Sequence, residues 1–272
     1  MIGLVLGDTH IGNIIIKKLK KIKKKFIIID ISKKRIFSKE INSFQLSIGE
    51  LGKCISILNK NKCKQVLFAG RIEKPNFKKI KLDFKAIYHL PKIIKETKKG
   101  DAYIINFITE LFQKEGFNVI SQIKYNPEIV LKKGCHTKLC PTNDFKKSII
   151  VGKKIINDLS LIGTAQGVVV VKNKPIISEN IKGTDIMLRK AEKKLHKYKF
   201  KNNKKRVGIL LKLPKPNQDL RTDLPTVGIN TVKLCAKIGI KGIVVKSKHN
   251  IFLDKKKCIN LANKKKMFIF AI

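Results

Sequence analysis

A short stretch near the start of the sequence has residue types that could hold metal ions. Gly7-Asp8-Thr9-His10 follows an apolar run of strand length, and an Asp-x-His pair at a strand end can open a two-metal phosphoesterase site. Two cations about 3.5–4 Å apart need about seven ligands. The chain has five His, and none lies in an Asn-His or Gly-His-x-His context. The stretch instead indicates a turn before a helix N-terminus, whose N–H groups suit a phosphate or nucleotide.

A second stretch, Lys212–Gly228, combines charge with stiffness. It reads KLPKPNQDLRTDLPTVG, with three prolines within twelve residues. Such a loop can grip a diphosphate with its cations and supply a carboxylate that positions a metal ion or water. A solvated proline-rich linker with ordinary ion pairs explains the same composition. The charged residues at issue are Lys212, Lys215, Asp219, Arg221 and Asp223.

The net charge of +42 over 272 residues suits nucleic acid, an anionic membrane surface or a phosphorylated substrate. Of the 61 basic residues only five are Arg, and the rest are Lys in a chain rich in Ile and Asn. A genome biased toward A/T-rich codons would produce the same excess. Proteins that read bases favour Arg for its bidentate fork, and the chain has no Trp for base stacking. The composition therefore disfavours a nucleic-acid partner.

Alternating strand-like and helix-like segments predict a parallel sheet covered by helices in the first half. Gly7 and Gly70 end two of its strands, where sites in such sheets lie. After about Leu131 the pattern breaks, so we predict an N-terminal Rossmann-like domain over 1–133 and a C-terminal α/β catalytic domain over 134–272. In the second half, GVVVVK and KPIIS form a predicted hairpin through Asn173, and GIVVK is expected to turn back into IFLD as another.

The six cysteines are scattered in a long chain without a recognisable secretory signal, which predicts a cytoplasmic protein with reduced thiols. Cys135, His136 and Cys140 fit no standard zinc spacing. No apolar run approaches the roughly 18–20 residues that span a bilayer.

Several motifs in order resemble the UDP-2,3-diacylglucosamine diphosphatases of the LpxI type. LLKLPKPNQDLRTDLPTVG is similar to the family pattern KxPKPxQDxRxDLPTIG, and SIGELGKCISILNKNKCKQVLFAGRIEKPNF resembles GxxGKxxxxLKxxGxxxVxFAGxVxRPxF. KKGDAYIINFITELFQKEGFNVIS, AQGVVV and GTDIMLRKA match further family stretches. The resemblance covers nearly the whole chain.

The resemblance implies hydrolysis of UDP-2,3-diacylglucosamine to UMP and 2,3-diacylglucosamine 1-phosphate in lipid A synthesis, with Mg²⁺ or another divalent cation. It implies two α/β domains with the active site in the cleft between them. The expected partners are the lipid-nucleotide substrate and the anionic inner-membrane surface, with no nucleic acid. Peripheral attachment to the inner membrane is expected from the lysines, and a homodimer is left open.

Site residues are carried over by motif position. The essential aspartate of the family falls on Asp223, and we expect Arg221 and Asp219 to assist it. The family turn G-x-G-x-L-P is replaced here by Gly7-Asp8-Thr9-His10-Ile11-Gly12, and Lys182 stands where the family has Glu before Gly-Thr-Asp. Expected metal ligands are Glu179, Asp185 and Asp223. Expected substrate-binding residues are Gly7, Asp8, Ile11, Gly70, Arg71, Gln166, Thr184, Lys212 and Lys215.

Two rival functions fit the sequence less well than this enzyme does. A non-catalytic nucleic-acid-binding protein is disfavoured by the low Arg content and by the ordered motifs. A Rossmann-type nucleotide sensor is disfavoured because no full G-x-G-x-x-G appears.

Overall fold

The structure, a computed structural model, describes residues 1–72, 80–161, 165–180, 183–201, 206–216 and 218–272. The chain forms two compact units. The first consists of Met1–Pro127 together with Asp219–Asp223, and the second of Glu128–Gln218 together with Leu224–Ile272. The main division thus follows Pro127, whereas the sequence placed it after residue 133. A five-residue piece of the proline-rich stretch belongs to the first unit, which no sequence pattern indicated.

The first unit is built on a parallel sheet. Its strands are Ile2–Leu6 (β1), Phe26–Asp30 (β2), Ser43–Gln45 (β3), Gln65–Ala69 (β4) and Asn118–Val119 (β5). They lie side by side in the order β3-β2-β1-β4-β5, and every pairing is parallel. The strand order reverses between β1 and β4, as in doubly wound dinucleotide-binding folds. The predicted Rossmann-like parallel sheet is confirmed.

In the described residues this unit has four helices: Ile11–Lys21 (α1), Leu51–Lys60 (α2), Phe84–Lys99 (α3) and Asp101–Lys114 (α4). Val5 packs in one cluster with apolar residues of α2 and α4. Gly12 of α1 lies against Leu6, whose side chain points to the opposite face because alternate strand residues do. α1 therefore covers the other face of the sheet. α3 packs on α4 and α2.

The second unit contains a mixed six-stranded sheet. Its strands are Gly134–Cys135 (β6), Gly167–Val171 (β7), Lys174–Ser178 (β8), Val207–Lys212 (β9), Ile240–Val245 (β11) and Phe268–Ala271 (β13), in the order β6-β13-β11-β9-β7-β8. The three central strands are parallel, and the outer strands run antiparallel to their neighbours. Thr226–Val227 (β10) and Ile251–Phe252 (β12) form a separate parallel pair.

The helices of this unit are Asn143–Leu161 (α5), Thr184–Lys201 (α6), Ile229–Ile238 (α7) and Lys255–Lys264 (α8). One apolar cluster joins α6, α7 and α8 to the sheet, and a smaller one lies under α5. This second unit is α/β, as the sequence predicted. No helix in the described ranges combines the length and apolar character needed to cross a membrane.

One of the two predicted hairpins is confirmed and the other is wrong. β7 and β8 pair antiparallel through Lys172 and Asn173, whose φ values of 48° and 61° are those of a two-residue hairpin turn. IFLD does not turn back onto GIVVK, because β11 is already paired with β9 and β13 on its two edges. β12 pairs with β10 instead.

The expectation that all cysteines are reduced is wrong for one pair. Cys135 and Cys140 are joined by a disulfide, with their Cα atoms 5.7 Å apart. The loop after β6 folds back so that this short separation can be bridged. The other four cysteines are buried thiols, and burial raises the pKa of Cys54 to about 12.

Candidate functional site

The reversal of strand order in the first unit brings two predicted glycines together. The Gly7 amide donates to the Ala69 carbonyl at 2.9 Å. A Cβ on Gly7 would lie 2.5 Å from the Arg71 carbonyl oxygen, and one on Gly70, whose φ is +96°, would lie 2.9 Å from the Gly7 nitrogen. Only glycine fits such close backbone contact. The ends of β1 and β4 therefore form one bare turn at the position where doubly wound folds bind ligands.

Neighbouring residues hold this turn in shape. The Asp8 amide donates to the Arg71 carbonyl at 2.8 Å, and the Asp8 carboxylate accepts from the Lys33 amide at 3.0 Å. Ile11 is buried in α1, so its side chain supports the core of the unit. The Thr9 hydroxyl is buried and has no hydrogen-bond partner in the described structure. Of the predicted contacts here, Gly7, Asp8, Gly70 and Arg71 lie together.

The Gly-x-x-Gly-Lys part of the family resemblance has a structural role in the first unit. Asp83 accepts from the Ala86 amide at 2.9 Å and caps α3, while its other oxygen accepts from the Lys53 amide at 3.1 Å in the first turn of α2. A Cβ on Gly52 would lie 3.2 Å from that carboxylate, and one on Gly49 would collide with the Lys81 carbonyl. The two glycines thus let one carboxylate cap two helices.

The segment Asp219–Asp223 is tied to the first unit by Gln122. The Gln122 amide donates to the Arg221 carbonyl at 3.1 Å, and its side chain donates to the Thr222 carbonyl at 2.6 Å. Within the segment the Asp223 amide donates to the Asp219 carbonyl at 2.9 Å. These bonds fold the segment into a tight turn that presents Asp223 at a fixed place.

Arg221 and Asp219 form an ion pair inside that turn. The guanidinium donates through Nε and Nη2 to both Asp219 oxygens, with the shortest distance 2.8 Å. Burial alone would raise the pKa of Asp219, but the hydrogen bonds and charge of Arg221 outweigh it and hold that pKa below its usual value. Asp219 in turn raises the pKa of Arg221. The Arg fork is therefore used to stiffen the turn.

A buried Lys-Thr-Glu cluster lies in the second unit. Lys212 at the end of β9 donates to the Thr184 hydroxyl, and that hydroxyl donates to Glu179 Oε1 at 2.7 Å. Lys212 Nζ is 3.8 Å from the same carboxylate oxygen, and the two side chains are only 11% and 10% exposed. The cluster places a cation and its counter-ion in a nearly dry environment, with a hydroxyl bridging them. Charges in such a place act strongly on a bound anion.

An amide pair borders this cluster. Gln166 donates to Gln218 Oε1 at 3.0 Å, and the same oxygen accepts from the Lys215 amide at 2.9 Å. The second oxygen of Glu179 is buried without a partner in the described structure, and a Cβ on Gly167 would lie 2.8 Å from it. Gln166, Glu179, Thr184, Lys212 and Lys215 are thus brought to one end of β7–β9. The glycine next to Gln166 leaves space at the unpartnered oxygen.

The described side chains supply part of a metal site. The unpartnered Glu179 oxygen suits one ligand position. In the described ranges no three His, Cys, Asp or Glu side chains are grouped so that they could hold a metal ion. Asp185 is exposed at the start of α6. The pKa of the Cys235 thiol is raised mainly by the burial of that thiol and further by the negative charge of Asp185. The metal-ligand assignments of Glu179, Asp185 and Asp223 stay predictions. Lys182 lies outside the described residues.

Two features of the site were missed in the sequence. Gln218 lies in the quoted proline-rich motif, but only the structure shows that its amide joins Gln166 to Lys215. Glu179 was expected as a metal ligand, but its ion pair with Lys212 was not predicted. The two residues are far apart in the sequence, and no periodicity or spacing in the sequence indicates that they meet. The motif membership of Gln218 was the one signal that could have identified it.

Comparison with known proteins covers both units. The family model of the LpxI N-terminal domain matches residues 1–129, and that of the LpxI C-terminal domain matches residues 132–270. A relative from Caulobacter vibrioides, named UDP-2,3-diacylglucosamine pyrophosphatase LpxI, is 29% identical over 227 residues, which is 84% of this chain and 81% of the relative. The glycine turn, the Lys-Thr-Glu cluster and the proline-rich stretch all lie within the matched ranges. This chain belongs to the LpxI family.

Proposed function

We propose that this protein hydrolyses the diphosphate of UDP-2,3-diacylglucosamine, giving UMP and 2,3-diacylglucosamine 1-phosphate for lipid A synthesis. The observation that carries the proposal is the match of both LpxI family models along the chain. The name of the Caulobacter relative supplies the substrate. Low Arg content and the absence of Trp add nothing in favour of a nucleic-acid ligand.

Lys212 is proposed to bind an oxygen of the diphosphate. An ammonium group has three donors, and Thr184 is the hydrogen-bond partner that the described structure gives it. Glu179 is the counter-ion of this buried cation and, through Thr184, fixes its direction. A cation held in place before the substrate arrives stabilises the charge that develops on a transferring phosphoryl group.

Asp223 is proposed as the catalytic carboxylate that positions the attacking water or a metal ion. The turn closed by Asp219 and Arg221 would hold that carboxylate still, and Gln122 would anchor the turn. Asp219 and Arg221 are then positioning residues. This differs from the expectation that Arg221 grips phosphate directly, because its fork already has a carboxylate partner.

We also propose that hydrolysis depends on Mg²⁺ or another divalent cation. Such an ion would neutralise diphosphate oxygens and lower the pKa of a bound water. Glu179 offers one buried carboxylate oxygen toward it, and Asp185 and Asp223 are the further candidates. A diphosphate brings oxygen ligands of its own, so part of the ligand set can arrive with the substrate.

Peripheral attachment to an anionic membrane surface completes the proposal. The substrate carries two acyl chains, and the protein carries a net charge of +42. Each Lys near an anionic surface adds about 1 kcal/mol of attraction, screened within a Debye length. Binding to anionic vesicles should fall steeply as salt rises above physiological strength, and salt-insensitive binding would contradict an electrostatic attachment.

The test is incubation of the purified protein with UDP-2,3-diacylglucosamine in detergent micelles, with UMP measured by chromatography. We expect UMP in Mg²⁺ and none after chelation, and no turnover of NADH or DNA. A folded protein that leaves the substrate intact in both Mg²⁺ and Mn²⁺ would refute the proposed reaction. Release of UMP that persists with chelator would refute the metal dependence alone.

A further inference from the structure

Helix α3 carries apolar side chains that are exposed among the residues that the structure describes. Phe84 is 93% exposed, Tyr88 80% and Ile87 53%. Their spacing of three and four residues puts them on one face of the helix, together with exposed Pro91. The opposite face packs on α4 and α2, with Ala86 buried there. Two large exposed aromatic rings on adjacent turns are unusual for a surface that faces only water.

The second half of the same face is cationic. Lys92, Lys95, Lys98 and Lys99 are exposed in the last two turns of α3. The helix contains one acidic residue, Glu96, which is buried and paired with Lys99 at 3.0 Å. Lys92, Lys95 and Lys98 are left without an acidic partner on this helix. Aromatic and aliphatic side chains beside such lysines are the composition of helices that lie in a membrane interface.

We propose that this α3 face, formed by Phe84, Ile87, Tyr88 and Pro91 with the lysines of the last two turns, is the surface that docks on an anionic lipid bilayer. The inference rests on the proposed function, because it specifies where the peripheral attachment occurs. The rings enter the boundary between headgroups and acyl chains, and the lysines contact the phosphates. Charge selects this occupant over a second copy of the chain, since two copies would bring like-charged lysine clusters together on a protein of net charge +42.

The first experiment uses the lack of tryptophan in the chain. Phe84→Trp introduces a single reporter on the α3 face, and Ile41→Trp is the matched control at an exposed site outside the helix, where Ile41 is 84% exposed. Vesicles of phosphatidylethanolamine with phosphatidylglycerol should shift the emission of the Phe84→Trp protein to shorter wavelength. The emission of the Ile41→Trp protein should stay where it is in buffer. No shift at position 84 while the protein cosediments with vesicles would overturn the proposal.

A second experiment measures binding directly by vesicle sedimentation. Phe84→Ser with Tyr88→Ser should weaken binding by about tenfold or more. Lys95→Gln with Lys98→Gln should weaken vesicle binding by more than about tenfold, because each lysine near the surface contributes about fivefold in affinity. Lys17→Gln with Lys21→Gln removes the same charge from α1, on the other face of the sheet, and should change binding far less. Equal losses in the two lysine pairs would overturn the proposal in favour of diffuse attraction.

Three controls distinguish docking on a bilayer from misfolding, loss of enzyme activity and binding of a different partner. Circular dichroism checks that each variant is folded, as expected for exposed positions. UMP release from substrate in micelles should be unchanged in the α3 variants, so a failure of the enzyme proposal appears there and leaves the vesicle result intact. Two outcomes in the α3 variants would overturn the proposal if vesicle binding is unchanged. Loss of binding to a single-stranded oligonucleotide would assign the α3 face to nucleic acid, and loss of a dimer in sedimentation velocity would assign it to self-association.

Discussion

Replacing Glu179 by Gln should destabilise the protein through the buried lysine that loses its counter-ion. The substitution keeps the shape of the side chain and an acceptor for the Thr184 hydroxyl, but it removes the charge 3.8 Å from Lys212 Nζ. Removing one partner of a buried ion pair costs about 3–5 kcal/mol. Because each side chain keeps roughly a tenth of its surface exposed, we expect the lower end, about 3 kcal/mol.

A second substitution separates stability from function. Lys212→Met removes the cation, so the double variant Glu179→Gln with Lys212→Met has no unpaired charge. Its free energy of unfolding should return to within about 1–2 kcal/mol of the parent, because a buried ion pair replaced as a whole is often neutral. UMP release should nevertheless be lost in the double variant, because the proposed phosphate-binding ammonium of Lys212 is absent.

The assay is urea unfolding followed by far-UV circular dichroism, because the chain has no tryptophan. The three variants and the parent form a double-mutant cycle, and the coupling energy should be about 2 kcal/mol or more. Additive losses in the cycle would show that Glu179 and Lys212 do not depend on each other. Parent-like turnover in Lys212→Met would show that the cluster does not bind the diphosphate.

Four further predictions concern single residues. Gly70→Ala should cost about 2–3 kcal/mol in unfolding experiments, because alanine is strained at a φ of +96° and its Cβ would lie 2.9 Å from the Gly7 nitrogen. Asp83→Ala should cost about 1–2 kcal/mol, since one carboxylate caps two helices. The pKa of Asp219 in the folded protein lies below its usual value of 3.8. Its stabilising effect is therefore present above about that pH and is lost as the pH falls further. In Asp219→Asn, the free energy of unfolding measured against pH should decrease less at acid pH than in the parent. Arg221→Lys keeps the charge but loses the fork, and should lower kcat without abolishing folding.

Most elements of the fold could be predicted from the sequence because their patterns are local. IGLVLG and FIIIDIS are apolar runs of strand length, and both contain buried strands. Gly100 and Gly116 follow helix-like stretches, and both have the positive φ that a chain reversal after a helix favours. β3 is three residues long and too short to leave a pattern. The pairing of β12 with β10 depends on which sheet edges are already occupied, and no short stretch carries that information.

The candidate site also contains features that the sequence predicts and features that depend on tertiary folding. Gly7 and Gly70 could be placed together because the carboxyl ends of parallel strands meet at one edge of a sheet. The bond between Cys135 and Cys140, and the Lys212–Glu179 pair, depend on how chain segments fold back in space. Arg221 was predicted as one of the loop cations that can grip a diphosphate, and that role stays a prediction. The structure adds that the Arg221 guanidinium binds the carboxylate of Asp219, two residues away, which the sequence alone did not indicate.

The most direct test of the proposed hydrolysis compares the parent protein with Asp223→Asn in single-turnover UMP release. The parent should convert bound UDP-2,3-diacylglucosamine to UMP in Mg²⁺. Asp223→Asn should stay folded and bind the substrate, because the proposed phosphate-binding ammonium of Lys212 remains, while UMP release slows by at least about 10²-fold. Parent-like release by Asp223→Asn, or none by the folded parent, would contradict the proposed chemistry.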